Sequence, residues 1–307
     1  MELLWIPLSV FAALMQAIRT AAQKTLSHSM STMGTTYVRA LFGFPFIALF
    51  LVGLLSLQGG GVPTFSRSFI LYVFGGAVSQ ALATALLIHM FSLKSFAVGT
   101  MLTKSDILLT ALIGSVLFSE RLSAMGWIGL LVVFAGVLLM LIGKFEGHIL
   151  AARGTTLSSD LFGKVTRVAF ICALMFTMSY LFFREATLVL QPGQFLWRGT
   201  WTVLIGTGMQ IIVLGIWILL REPVVFSQLW PNRRIIGFIG LTSALGSIGW
   251  FSAFALQNAS YVRAVGQIEA IFTIAISWCY FREKVTGLEL LGMATMVVGV
   301  LMFYSVY

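Results

Sequence analysis

Apolar runs of about 20 residues recur along the whole chain, and short polar or charged segments separate them. As a helix, such a run is long enough to cross a hydrocarbon core of about 30 Å. The pattern therefore predicts ten membrane-spanning helices. They lie at residues 3–22, 35–57, 69–88, 97–117, 124–143, 166–186, 195–219, 235–254, 262–281 and 287–306. Most connections are short, so neighbouring helices are predicted to be antiparallel.

The composition also indicates an all-α polytopic membrane protein. Of the 307 residues, 59% are hydrophobic and 9% are charged, whereas soluble domains have about 25% charged residues. The net charge of +9 comes from basic residues spread over short loops and helix ends. Because there is no basic block and no nucleic-acid-binding module, we predict the lipid bilayer as a partner and not nucleic acid.

The chain contains an internal repeat. The longest connection, residues 144–165, divides it into five spans plus five. Shifting the first half by 163 positions aligns Asp106 with Glu269 and Thr110 with Thr273. These are acids and hydroxyls at matching places inside apolar spans.

A repeat of five spans has a geometric consequence. Five is an odd number, so the second copy enters the membrane from the opposite side and is inverted relative to the first. The predicted fold is ten transmembrane helices in two inverted five-helix repeats, residues 1–143 and 166–307. Many secondary transporters are built this way and hold their substrate near the membrane midplane, where the repeats meet.

A second pattern is specific to the acid-bearing spans. In the fourth and ninth spans an acid is followed by an apolar run and then by Glu-Arg or Glu-Lys in a very short loop. The spacing is 14 residues in both copies, from Asp106 to Glu120 and from Glu269 to Glu283. Over nearly its whole length the chain resembles the EamA-type transporters of the drug/metabolite transporter superfamily. The resemblance implies two EamA-like repeats around a central cavity, and export or uptake of small metabolites such as amino acids.

The chain departs from the family pattern after each acid. The family often has proline there, whereas this chain has Ile107 and Ala270. Proline kinks a helix because it lacks the amide hydrogen and clashes with the preceding turn. These two spans therefore lack that source of a kink.

Asp106 and Glu269 are the leading candidates for substrate binding or proton coupling. Residues four apart share a helix face, so each acid aligns with a hydroxyl, from Thr110 and Thr273 respectively. Each pair is predicted to offer a carboxylate and a hydroxyl to one cavity, where it binds a proton or a substrate ammonium group. The alternative is a structural ion pair with one of three bases, Lys104, Arg39 or Arg263.

Basic and aromatic residues complete the predicted site. Arg39 and Arg198 align at a shift of 159 near the starts of the second and seventh spans. A guanidinium donates two parallel hydrogen bonds to carboxylate or phosphate, and the alternative is contact with lipid headgroups. Trp197 is predicted to line the cavity, or else to belong to the interfacial aromatic belt. Lys104 and Arg263 are cargo contacts or counter-ions.

Bases outnumber acids among the ionisable residues within the spans. The bases are Arg19, Arg39, Lys104, Arg198 and Arg263, and the acids are Asp106, Glu185 and Glu269. An excess of positive charge suits anionic or zwitterionic cargo such as organic or amino acids. We therefore predict a secondary active transporter of small polar metabolites that works by alternating access and couples to protons. An exporter of organic cations or drugs and a lipid flippase are the alternatives.

Other classes of function find no support in the sequence. There is no GxSxG or HExxH motif and no Cys/His ligand set, so neither an enzyme, a cofactor nor a metal site is predicted. A channel is disfavoured because no ring of like charges or carbonyl filter is readable. Monomer and homodimer both stay open.

The orientation in the membrane is ambiguous. An even number of spans places both termini of this multi-pass protein on one side, and a bacterial inner membrane is the expected location. On the side of the termini, the loop bases are Arg67 and Arg121. On the other side they are Lys24, Lys94, Lys144, Arg153, Lys164, Arg221, Arg233, Arg282 and Lys284. The positive-inside rule thus places the termini outside, whereas the family resemblance implies cytoplasmic termini.

Overall fold

The protein is helical throughout the part of the chain that the structure describes. The computed structural model describes residues 3–26, 29–58, 61–91, 103–149, 164–281 and 285–306, and these ranges contain no strand. The helices are α1 Trp5–Leu26, α2 Thr32–Gln58, α3 Arg67–Phe91, α4 Asp106–Leu117, α5 Ala124–Ile149, α6 Lys164–Val189, α7 Phe195–Arg221, α8 Val224–Leu229, α9 Arg233–Leu256, α10 Ala259–Gly266, α11 Glu269–Phe281 and α12 Gly287–Met302, followed by a 3₁₀ turn at Phe303–Val306.

The helices lie at the ten predicted positions. Within the described residues, eight stretches are long and apolar enough to cross a membrane, and two shorter apolar helices, α4 and α12, occupy the fourth and tenth positions. The predicted all-α polytopic class is therefore confirmed. Residues 97–102 of the fourth predicted span lie outside the described residues.

Two details differ from the predicted pattern. The ninth span is not one helix but two, α10 and α11, which are separated at Gln267 and Ile268. A short helix, α8, also forms in the predicted connection between the seventh and eighth spans. It begins directly after Pro223, a residue that suits a helix start because its missing amide hydrogen needs no partner there.

The chain folds into two compact units, and each takes helices from both predicted repeats. The first unit comprises Met1–Ala81 and Met178–Gln257, and the second comprises Leu82–Thr177 and Asn258–Tyr307. Helices α1, α2, α7 and α9 thus belong to the first unit, and α4, α5 and α10 to α12 belong to the second. Helices α3 and α6 contribute residues to both.

In the first unit, α9 packs against α1, α2 and α7. Glycines permit the close approach, because a methyl group added at Gly249 would lie 3.0 Å from the Cβ of Ala12 in α1. One added at Gly240 would lie 2.5 Å from the carbonyl oxygen of Phe42 in α2. Small residues bring helix backbones together in lipid, where dispersion contacts must replace the hydrophobic effect.

In the second unit, α5 and α12 cross through glycines from both helices. A methyl group added at Gly136 would lie 2.8 Å from the carbonyl oxygen of Gly292. One added at Gly129 would lie 3.3 Å from the carbonyl oxygen of Gly299. In the repeat alignment, Gly129 is equivalent to Gly292 and Gly136 to Gly299. The two contacts are therefore related to each other by the repeat.

The direction of this crossing agrees with inverted repeats. Along α5 the residue numbers rise while the contacted numbers along α12 fall, so these equivalent helices run antiparallel. The same holds for α2 and α7 in the first unit, where Gly208 faces Phe44 and Gly215 faces Tyr37. Helices at equivalent places in parallel repeats would run in the same direction.

The crossing of α5 and α12 generates a stability prediction. Gly136→Ala is expected to lower the free energy of unfolding by about 2 kcal/mol, because the new methyl group meets backbone atoms that cannot turn aside. The nearest of these, the amide nitrogen of Met296, lies 2.7 Å away. Unfolding of the purified protein in detergent measures the change.

Gly237→Ala is the matched control on an open helix surface. No atom lies within 4 Å of a methyl group added there, so alanine is expected to stabilise α9 by up to about 1 kcal/mol through its higher helix propensity. Equal effects of the two substitutions would contradict the proposed close crossing.

Candidate functional site

A buried ion pair joins two helices of the second unit. Asp106 is the first residue of α4, and Arg263 lies on α10. Nη2 of Arg263 donates to Oδ2 of Asp106 at 3.1 Å, and the two residues are only 4% and 7% exposed. Of the three bases that the sequence offered as partners, Arg263 is the one that pairs with this acid.

Hydroxyl groups hold the main chain of Asp106 as well. Thr110 donates to the carbonyl oxygen of Asp106 at 2.6 Å, and Thr177 of α6 donates to the same oxygen at 3.2 Å. The predicted pairing of carboxylate with hydroxyl thus takes a different form, since Thr110 contacts the main chain. Within the described ranges, Oδ1 of Asp106 has no hydrogen-bond partner.

Both acid-bearing spans break directly before the acid. Lys104 and Ser105 form a turn before Asp106, and Gln267 and Ile268 form one before Glu269. These turns coincide at the repeat shift of 163. Because the break lies at the same aligned position in both copies, it is a property of the repeat and is not specific to one helix.

The breaks arise without proline. The amide of Ile107 donates to the carbonyl of Lys104 at 3.4 Å, and that of Ala270 donates to the carbonyl of Gln267 at 2.9 Å. These bonds span three residues, the spacing of a 3₁₀ turn, which is tighter than an α-helix. Ile107 and Ala270 occupy the places where the family often has proline, so a 3₁₀ bond forms where proline would prevent one.

Threonine side chains support these turns. Like Thr110, Thr273 donates to the main-chain carbonyl of the acid four residues before it, Glu269, at 2.9 Å. Such bonds from a hydroxyl to the preceding turn bend helices. Each acid also becomes the first residue of a helix, where the positive end of the helix dipole stabilises a negative charge.

A second buried acid holds the start of α10. Glu120 is 3% exposed, and its carboxylate accepts hydrogen bonds from the amides of Ala259 at 2.6 Å and Ser260 at 3.3 Å. The hydroxyl of Ser260 also donates to it. Glu120 therefore caps the start of α10. Its repeat partner Glu283 lies outside the described residues.

Comparison with known protein families identifies the family of this chain. The EamA-like transporter family matches it twice, over residues 3–142 and 165–305. The chain belongs to this family. The predicted family membership is confirmed, and the protein is a membrane transporter of the drug/metabolite transporter superfamily.

The fold of this EamA-family protein is shared with a protein of known crystal structure. That protein is 15% identical in sequence, with a TM-score of 0.71 over 98% of this chain and 96% of the other. At this identity the similarity shows the fold alone. Comparison with curated proteins finds no match in sequence.

Two residues that the sequence offered as site candidates lie in the first unit and contact main-chain carbonyls. Arg198 is 7% exposed, and it donates to the carbonyls of Ala255 at 2.8 Å and Thr187 at 3.4 Å. A cation near the C-terminal end of a helix is stabilised by the helix dipole. Arg198 therefore holds the ends of α6 and α9. The indole of Trp197, which is half-buried, donates to the carbonyl of Gly61 at 3.2 Å.

The other candidates are half-buried. Arg39 lies on α2, close enough to Arg19 for the two charges to act on each other. Lys104 lies in the turn before Asp106, and Glu269 lies at the start of α11. A cargo contact for any of these residues stays a prediction.

Sequence reasoning missed several polar residues of the second unit. Thr177 and Ser260 are fully buried, and Gln267 is 2% exposed. The sequence feature that could have identified these residues is a polar side chain inside an apolar span, because such a side chain needs a hydrogen-bond partner when it is buried. Among the residues that the structure describes, no three His, Cys, Asp or Glu side chains gather to hold a metal ion.

The buried pair generates a second stability prediction. Arg263→Gln is expected to lower the free energy of unfolding by about 3 kcal/mol, because it leaves the buried Asp106 carboxylate without its counter-charge. Neutralising both residues, in Asp106→Asn with Arg263→Gln, is expected to restore most of that loss. The free energies of unfolding of the variants are compared in detergent. A double variant that is less stable than Arg263→Gln alone would show that the two charges do not compensate each other.

Proposed function

We propose that this protein is a secondary active transporter of small anionic or zwitterionic metabolites, such as organic or amino acids. It works by alternating access with the proton as coupling ion, and the Asp106–Arg263 pair binds the cargo. The observation that carries the proposal is this ion pair, buried in a unit of a membrane transporter. Intramembrane ionisable residues are rare and mark substrate or proton pathways by default.

Charge balance defines what the pair accepts. A buried charge without a partner is strongly unfavourable, so the site has to stay neutral overall. The empty pair is neutral, with one carboxylate and one guanidinium. An anion that binds Arg263 adds a negative charge, and neutrality returns only when Asp106 takes up a proton.

The proposed coupling follows from this balance. A carboxylate anion enters together with one proton, which is carried on Asp106, and both leave on the opposite side. A zwitterion is already neutral, so its carboxylate binds Arg263 while its ammonium group binds the Oδ1 atom of Asp106. An anionic cargo is thus coupled to protons at this pair, whereas coupling of a zwitterionic cargo requires a proton carried by another residue.

The neighbours of Asp106 fit this role. Arg263 contacts Asp106 from α10 and Thr177 contacts it from α6. The thiol of Cys172 in α6 lies close enough for the carboxylate charge to act on it. Lys104 adds a second positive charge in the adjacent turn. Because Lys104 is half-buried and lies outside the pair, the pair itself stays neutral, while the nearby positive charge favours the approach of anions over cations. An organic-cation exporter is therefore the weaker alternative.

The remaining candidates are assigned supporting roles in the proposal. Glu269, supported by Thr273, is a second carboxylate at the start of a helix and a further place for the coupled proton. Arg39, with Arg19 close to it, draws anionic cargo towards the first unit. Trp197 and Arg198 shape the helix ends of that unit.

Transport into liposomes tests the proposal. Purified protein is reconstituted and offered labelled monocarboxylates, dicarboxylates, amino acids and a quaternary ammonium compound, while an enclosed dye reports the internal pH. With an acidic exterior, a carboxylate is expected to accumulate and the interior to acidify. Asp106→Asn is expected to keep exchange of this carboxylate but to lose accumulation driven by the pH gradient. Arg263→Gln is expected to lose both.

Glu289→Gln serves as the control variant, because Glu289 is a buried acid of the second unit that caps α12. It is expected to transport like the original protein. Normal gradient-driven uptake by Asp106→Asn would remove the proposed coupling role. Accumulation of the quaternary ammonium compound would favour a cation exporter, and movement of labelled lipid without soluble uptake would favour a flippase.

A further inference from the structure

Helix α10, which carries Arg263, is held at its start by the loop that follows α4. Three neighbouring residues of α10 bind this loop. The amides of Ala259 and Ser260 donate to the Glu120 carboxylate at 2.6 and 3.3 Å, as does the hydroxyl of Ser260. The hydroxyl of Tyr261 accepts a hydrogen bond from the amide of Ser123 at 3.0 Å.

The loop itself is folded tightly back on the end of α4. The amide of Glu120 donates to the carbonyl of Gly114 at 2.9 Å, and Ser119 adopts a φ of 54°. A left-handed residue commonly follows the end of a helix, and here the bond from Glu120 to Gly114 closes the loop onto α4. The Glu120 carboxylate is thus fixed relative to α4.

Helix α10 depends on such anchors. It has 8 residues, and an isolated helix shorter than about 12 residues is marginal even with favourable propensities. A negative charge at its first amides satisfies groups that have no partner within the helix and complements its dipole. Arg263 lies one turn after Ala259, so the anchor at the start of α10 also fixes the backbone of Arg263.

Asp106 in α4 and Glu120 in the loop after α4 therefore act on the same short helix. Asp106, at the start of α4, binds the side chain of Arg263, whereas Glu120, just beyond its end, binds the first amides of α10. Between them, Ser260 also reaches the carbonyl of Thr110 at 3.2 Å. This arrangement gives the 14-residue spacing of the two acids a physical meaning.

We propose that Glu120 is a positioning residue of the transporter, which sets Arg263 in register with Asp106 by capping α10. This rests on the proposed function of the Asp106–Arg263 pair. When Glu120 loses its charge, the start of α10 frays and Arg263 no longer stays at bonding distance from Asp106. Cargo binding weakens although neither residue of the pair has changed.

Glu289 provides a matched control in the same unit. It is 5% exposed, and it caps α12 through a hydrogen bond from the amide of Thr286 at 2.7 Å. Helix α12 carries neither member of the pair. Glu120→Gln and Glu289→Gln both remove a buried carboxylate that accepts an amide hydrogen bond at the start of a helix, and only Glu120 caps the helix of Arg263.

A double-mutant cycle tests the positioning without any cargo. The melting temperature in detergent is measured for Glu120→Gln and Glu289→Gln, each alone and combined with Arg263→Gln. Glu120→Gln is expected to lower the melting temperature clearly less in the Arg263→Gln background, because residues in one network couple. Glu289→Gln is expected to lower it equally in both backgrounds.

Uptake then tests the consequence for transport, with the labelled carboxylate that the original protein accumulates as the probe. Glu120→Gln is expected to raise KM about tenfold while Glu289→Gln leaves it unchanged, the size expected of a coupled neighbour. If Glu120→Gln does not fold, Ser260→Ala takes its place, with a smaller rise in KM.

The outcomes separate the two proposals. An equal KM for Glu120→Gln and Glu289→Gln overturns the positioning role, and so does the absence of coupling in the cycle. If Asp106→Asn and Arg263→Gln transport normally, the proposed function of the pair fails. The thermal cycle still decides whether Glu120 sets the place of Arg263.

Discussion

The cost of an uncompensated charge inside the bilayer governs the described structure. Asp106 meets a guanidinium, Glu120 meets helix amides, and Arg198 meets helix carbonyls. Each charge is balanced by a group of its own unit, either an opposite charge or the end of a helix dipole. Short helices and breaks in the spans are therefore not defects. They expose the amides and carbonyls that make these buried charges tolerable.

Much of the fold could be predicted, because the lengths of the apolar runs and the internal repeat can be read directly from the sequence. The aligned glycines of α5 and α12 even anticipate the crossing, since Gly129 and Gly136 contact the equivalents of each other. The break before each acid could not be predicted from the proline rule. It depends on 3₁₀ bonds and on threonine hydroxyls, whose effect on a helix is decided by competing local geometries.

The site was predicted in outline. Sequence reasoning named Asp106 and Arg263, but the choice among three bases required knowledge of which helices are neighbours. It also named Arg198 as a cargo contact, although the guanidinium has main-chain partners in the structure. Ser260 and Thr177 went unnamed because a neutral hydroxyl in an apolar span is usually satisfied by its own helix. Their actual partners lie 67 or more positions away in the chain.

The ion pair takes one residue from each predicted repeat, and the equivalent pair of positions lacks the basic residue. Asp106 aligns with Glu269, but the position that aligns with Arg263 holds Thr100. The duplicated architecture is therefore chemically one-sided. In a carrier whose repeats exchange conformations, two states that would have equal energy in a symmetric molecule are made unequal by a charge pair that the repeat equivalents of its two residues cannot form. Under the proposed alternating access, this asymmetry gives the carrier a preferred resting side, and the size of that preference sets how large a cargo or proton gradient is needed to reverse it.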